Sequence, residues 1–136
     1  MTKKLELIDL FYSSKKKSIK WKKYFHIYEK LFSKYKNEKI TFVEVGILDG
    51  GSLEIWKNYF GKNSRIIGID INPLCKKFES QNCEIFIGSQ SDPNFWRHFY
   101  DKVGKVDLIL DDGGHTNDQQ IITLTESVKF INNGGM

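Results

Sequence analysis

The sequence predicts an α/β fold, a Rossmann-like doubly wound parallel sheet with N-terminal helices in front of it, and three observations carry that prediction. Apolar, β-branched runs at residues 40–45, 65–70, 83–87 and 106–110 have the length of buried strands. Helical patterns separate or follow them, so neighbouring strands must be joined by crossovers. The runs end at Gly46, Asp70, Gly88 and Asp111, and in such sheets ligands bind beyond the carboxyl ends of the strands.

At 136 residues the chain is long enough for one domain with a real core. Residues 1–39 read as an N-terminal helical arm and residues 40–136 as the Rossmann-like ligand-binding domain. No apolar h-region opens the chain and no apolar run approaches the roughly 20 residues of a membrane span, which predicts a soluble, cytoplasmic protein. Cys75 and Cys83 lack a metal-type spacing and are expected as free thiols. The net charge of +4 conceals an asymmetry: residues 1–39 hold twelve lysines against four acids, the remainder nine basic residues against thirteen acids. Lys15, Lys16, Lys17, Lys20, Lys22 and Lys23 could meet an anionic partner, but a solvated lysine face is the simpler expectation.

In chain order, residues 3–12 place Leu5, Leu7, Ile8, Leu10 and Phe11 on a short amphipathic helix. From residue 18 to about 35, Trp21, Tyr24, Phe25, Tyr28, Leu31, Phe32 and Tyr35 recur at three and four, an aromatic stripe expected to pack, with His26 beside it at a packing or substrate-side edge. The run 40–45 is the first strand, and Gly46, Gly50 and Gly51 make the turn after it. A helix over 53–60 follows, with Ser52 as its N-cap. The second strand, 65–70, ends in Asp70, placed as an acid that accepts hydrogen bonds from a ribose. A turn from Pro73, a third strand at 83–87 and a helix begun by Asp92 and Pro93 come next. The fourth strand ends in Asp111-Asp112-Gly113-Gly114-His115, a compact set suited to binding a divalent cation and moving a proton. Residues 116–131 form the last predicted helix, and Asn132 to Gly135 end it.

The first turn is not a dinucleotide fingerprint, because Leu48 stands where G-x-G-x-x-G needs its middle glycine. Glu44 and Asp49 would also repel a diphosphate. S-adenosylmethionine, with a sulfonium and an ammonium, suits those acids better. A nicotinamide oxidoreductase is therefore disfavoured, and nucleic-acid methylation lacks a characteristic motif.

Four stretches in order, Phe42 to Gly46 with Gly50 to Leu53, Ile67 to Pro73, Ile87 to Asp92, and Asp107 to His115 with Gln119-Gln120, resemble the class I S-adenosylmethionine-dependent methyltransferases. Within them the chain resembles the branch of cephalosporin hydroxylase and macrolide-sugar O-methyltransferases, whose preceding helix is similar to residues 20–29. The resemblance implies an S-adenosylmethionine-dependent O-methyltransferase acting on a sugar hydroxyl of a polysaccharide or glycosylated product. It implies that Glu44, Gly46 and Gly50 line the methionine part of the cofactor, Asp70 the ribose, and Ser89 and Gln90 the adenine side, with Ser52 and Asp111 also in the cofactor set. It further implies Asp112 as a Mg²⁺ ligand and His115 as general base. The expected partners are a small-molecule or saccharide acceptor and a second copy of the chain, not a membrane span or nucleic acid. Ser89 stands where the family carries an acid, and the strand bearing the family's second acidic pair lies past Met136. The expectation is thus a sheet without its last strands and with an open edge; the alternative is a non-catalytic remnant that binds the cofactor or a partner.

Overall fold

The computed structural model describes residues 6–136. Its elements are α1 (Leu7–Ser13), α2 (Lys22–Phe32), β1 (Thr41–Val45), α3 (Gly51–Phe60), β2 (Arg65–Asp70), β3 (Cys83–Ile87), α4 (Pro93–Val103), β4 (Leu108–Asp111) and α5 (Asn117–Ser127), with short 3₁₀ turns after α2, β2 and α5. The four strands form one parallel sheet in the order β3-β2-β1-β4. Strand order therefore reverses between β1 and β4, the place where a doubly wound sheet opens a crevice.

Strand alternation sorts the core into two layers. Phe42 of β1, Ile66 of β2 and Leu108 of β4 face one layer with Leu53, Trp56 and Phe60 of α3 and with Leu7, Phe25, Tyr28 and Phe32 of α1 and α2. Val43 and Val45, Ile67 and Ile69, and Ile109 face the other, packed on Trp96, Phe99 and Tyr100 of α4. The residues expected as an arm are thus integral to the first layer, with Phe32 edge-on to Phe42 and Trp56. The start of the predicted first helix, including Leu5, lies outside the described residues.

Local chemistry sets most helix starts. Asp92 accepts from the Asn94 N–H at 2.9 Å with Pro93 in the first turn, and Thr116 and Gln119 close a capping box on α5. Two starts differ from the sequence expectation. Helix α3 begins at Gly51 behind Gly50 at φ +70°, so Ser52 is inside the helix and its hydroxyl is free for another partner. Helix α2 begins only at Lys22, leaving residues 18–21 outside any helix and Trp21 73% exposed. The aromatic stripe holds at Phe25, Tyr28 and Phe32, whereas Tyr24, His26 and Leu31 face solvent.

The outer edge of β4 is not bare. The Asn132 N–H donates to the Val106 carbonyl, the Met136 N–H to Asp107, and the Ile109 N–H to Met136, so residues 132–136 run along it.

Candidate functional site

Two turns meet at the crevice. Gly46 leaves β1 at φ +83°, and a Cβ there would collide with the Asp112 carbonyl oxygen and with the Cα of Gly113, so only glycine lets the two strand ends approach this closely. Beyond it the 47–50 turn is clamped from β2: one carboxylate oxygen of Asp70 accepts from the N–H groups of Ile47 at 3.0 Å and Leu48 at 3.3 Å, the other from Asn72 at 2.9 Å. Leu48 sits at φ +47°, a conformation an isolated leucine avoids and this clamp maintains. Gly50 differs from its expected place. It packs on the Phe78 ring, 2.6 Å from where a Cβ would stand, and does not line the cavity.

A cavity of about 370 Å³ opens over these turns, lined by Gly46, Ile47, Leu48, Ser52, Asp70, Ser89, Gln90, Asp112 and Gly113, and on its outer side by residues 17–20. Ser52, Asp70, Ser89, Gln90 and Asp112 of the expected set thus converge on one space. Asp49 is exposed and does not line it.

Glu44, fully buried at the end of β1, does not itself line this space but contacts two residues that do, Ser52 and Lys20. One of its oxygens accepts from the Ser52 hydroxyl at 2.5 Å, the use to which the uncapped serine is put. The other, Oε1, pairs with the Lys20 ammonium at 2.8 Å. Among the described residues no other donor reaches that buried oxygen. The Lys20 ammonium also lies 2.5 Å from Asp112 Oδ2, and its side chain is 5% exposed. Burial pulls the Lys20 pKa down, but Glu44 and Asp112 outweigh it and hold the ammonium above its ordinary value. Lys20 is therefore no part of a solvated lysine face. The signal for it was weak: it is one lysine among many, distant in sequence from both acids.

Gln90 differs from its expected role. Its amide N–H groups reach the Asp111 carboxylate at 3.2 Å and the Thr123 hydroxyl at 2.9 Å, and its oxygen accepts from the Gly114 N–H at 2.6 Å. With its backbone carbonyl taking the Trp96 indole N–H, it ties β3, α4, the β4 turn and α5 together, leaving little for an adenine. Ser89 lines the cavity with its hydroxyl 2.9 Å from that of Ser91.

Asp111 and Asp112 part company. Asp111 continues the face of Ile109, and with exposed His115 it lines a second cavity of about 760 Å³ between α5 and residues 131–136, whereas Asp112 lines the first. Asp111 is thus placed away from the cofactor set, and Asp112 and His115 open on different cavities that share Gly114. Among the described residues no group of three His, Cys, Asp or Glu side chains comes together as a metal site; Asp112 and Glu44 form a pair, with the Lys20 ammonium already between them. Cys75 and Cys83 are free thiols. Among the described residues no helix is long and apolar enough to cross a membrane.

No family model matches the chain. It is 30% identical over 116 residues to the 8-demethyl-8-alpha-L-rhamnosyl tetracenomycin-C 2'-O-methyltransferase of Streptomyces olivaceus, covering 80% of this chain and 30% of that protein. Against the demethylmacrocin O-methyltransferase of Streptomyces fradiae it is 29% identical, again over 80% of this chain and 29% of the relative. It also superposes on the MycE methyltransferase from the mycinamycin biosynthetic pathway, solved in complex with Mg and SAH, with a TM-score of 0.76 and 26% identity over 81% of this chain and 29% of that one. The chain spans about three tenths of the length of these proteins. With the parallel sheet, its reversal at β1 and β4 and these relatives taken together, the chain belongs to the class I S-adenosylmethionine-dependent methyltransferases, beside their sugar O-methyltransferases.

Proposed function

We propose that the chain is the cofactor-binding part of an S-adenosylmethionine-dependent O-methyltransferase that acts on a sugar hydroxyl of a glycosylated small molecule or saccharide. The observation that carries it is Glu44, a fully buried carboxylate at the end of β1 that already holds an ammonium, that of Lys20 at 2.8 Å, beside a glycine turn that opens a helix. A ligand's ammonium suits the same carboxylate, and a diphosphate would be repelled. MycE was solved in complex with Mg and SAH, in one case with mycinamycin VI as well, and the relatives are sugar-directed O-methyltransferases, which supports the same cofactor and acceptor class here.

When bound, the cofactor supplies an electrophilic methyl on a sulfonium. The chain's residues do the rest. Glu44 and Ser52 hold the cationic end, with Gly46 giving close backbone approach; Asp70, on the cavity wall, takes ribose hydroxyls with lone pairs its backbone donors leave over. His115, exposed at the second cavity, would accept the proton that the acceptor hydroxyl loses as its oxygen takes the methyl. Asp112 is the donor this chain would offer to a divalent cation; with only Glu44 beside it and the Lys20 ammonium between them, no step is assigned to a metal. We propose that the acceptor approaches from the side of the second cavity, since Asp111 and His115 supply polar groups there.

Calorimetric titration with S-adenosylhomocysteine, with NAD as the control, tests the reading. Saturable binding of the adenosyl ligand alone is expected; binding of NAD in its place would overturn it.

A further inference from the structure

Residues 17–20 form a strap over the first cavity, between α1 and α2. It is held closely, for a Cβ on Gly51 at the start of α3 would run into the Lys17 carbonyl oxygen. Around it Lys16 pairs with Glu54 at 3.2 Å. Ile19, by contrast, is 78% exposed, so the strap has no apolar anchor of its own, and lifting it breaks little packing. The one deeply placed group on the strap is Lys20. Its ammonium stands between a fully buried Glu44 and an Asp112 whose side chain is 39% exposed. Two carboxylates share one charge, the buried one at 2.8 Å and the more exposed one at 2.5 Å.

We propose that Lys20 is a tethered occupant of the cavity's cation subsite: its ammonium stands where a ligand's ammonium belongs, and the ligand binds by displacing it from Glu44. This rests on reading the cavity as the S-adenosylmethionine site. The exposed Asp112 lies within reach of the same ammonium, so displacement from Glu44 leaves Lys20 a partner at the mouth. Lys20 then keeps a buried carboxylate neutralised in the absence of ligand, and each binding event must first clear it. Ligands without an ammonium have no such competition.

The test measures S-adenosylhomocysteine and 5'-methylthioadenosine, which lacks the amino-acid end, by calorimetry on the full chain and on Lys20→Met, an unbranched neutral replacement, alongside thermal unfolding. The variant should unfold at lower temperature without ligand yet bind S-adenosylhomocysteine about tenfold more tightly, because the competent state is no longer masked, while methylthioadenosine affinity stays unchanged. Equal or weaker binding of S-adenosylhomocysteine by the variant, when the unsubstituted chain binds it, overturns the occupant and leaves the cofactor reading standing. An equal gain for methylthioadenosine also overturns it, since the cavity would merely have opened. Binding by neither chain overturns both readings. If Lys20→Met does not fold, Gly51→Ala keeps every charge and pushes the strap away through the Lys17 carbonyl; it should tighten S-adenosylhomocysteine binding by a smaller factor, and no change or a loss overturns the proposal.

Discussion

The two cavities at the carboxyl end of the sheet lie side by side and differ in almost every physical respect. The first is charged, closed over by the 17–20 strap, and backed by a fully buried glutamate that Ser52 and Lys20 separate from it. The second is broad, lined by Leu124, Val128, Ile131 and Met136 with Asp111 and His115 at its polar edge, and three of the side chains near it on α5 and its 3₁₀ extension are well exposed: Ile121 at 58%, Leu124 at 67% and Val128 at 62%. What divides them is one peptide. Leu108 and Leu110 pack in the α1–α3 layer and Ile109 in the α4 layer, so Asp111 and Asp112, adjacent in sequence, fall on opposite sides by the two-residue period of a strand. Adjacent identical residues therefore do different work: Asp112 meets Lys20, and Asp111 is held by Gln90.

That division can be broken at its seam. Gly46→Ala forces a Cβ into the Asp112 carbonyl at a backbone angle that disfavours L side chains. It should cost about 4 kcal/mol in urea unfolding, by steric collision added to left-handed strain, and should abolish adenosyl-ligand binding. A cost under about 1 kcal/mol would mean that the two turns are not in contact.

Removing the clamp on the other side is the next largest effect. Gln90→Ala leaves the Gly114 N–H, the Thr123 hydroxyl and Asp111 without their shared partner. A loss of about 2–3 kcal/mol is expected from buried groups left unpaired. Gln90→Glu sharpens the comparison, because it keeps the acceptor for Gly114 but sets a second negative charge against Asp111; it should destabilise at neutral pH and recover as pH falls and the carboxyls protonate. Stability independent of pH in that variant would show that Asp111 is not held there.

The smallest effect on the fold falls at His115. The side chain is exposed, so His115→Ala should change stability by less than about 0.5 kcal/mol. It should leave S-adenosylhomocysteine affinity unchanged, since His115 lines only the second cavity. Methyl transfer to a glycosylated acceptor, measured on a form of the protein that is active, should fall by about 10²–10⁴-fold if the imidazole takes the proton. Full activity in the variant would assign the base to another group.

The strand ends were legible before the structure, because a buried parallel strand needs an apolar run and a ligand-binding turn needs glycine or an acid after it: β2 and β3 stand at Arg65–Asp70 and Cys83–Ile87, as read. Helix α4 was equally legible, since Asp92 and Pro93 are local signals acting within one turn. The start of α2 was not. Trp21 has the right spacing for the stripe, but it is left exposed, and with Lys20 drawn down to Glu44 the chain stays out of the helix to that point. Ser52 misled for a related reason: a serine before an apolar helix reads as a cap, yet Gly50 takes that position and the hydroxyl turns to Glu44, eight residues back.

By itself, then, the sequence determined the fold class, the order of strands and helices, and which strand ends carry chemistry, because periodicity and turn residues act over a few neighbours. Only the tertiary structure decided who meets whom at those ends. Strand order sets β4 against β1, the pleat sends Asp111 and Asp112 to different cavities, and a lysine 92 positions before Asp112 arrives in the pocket between two acids. A charge contact across that separation leaves no periodic trace in the chain, since Coulomb attraction depends on distance in space and the lysine run around Lys20 is uniform in sequence.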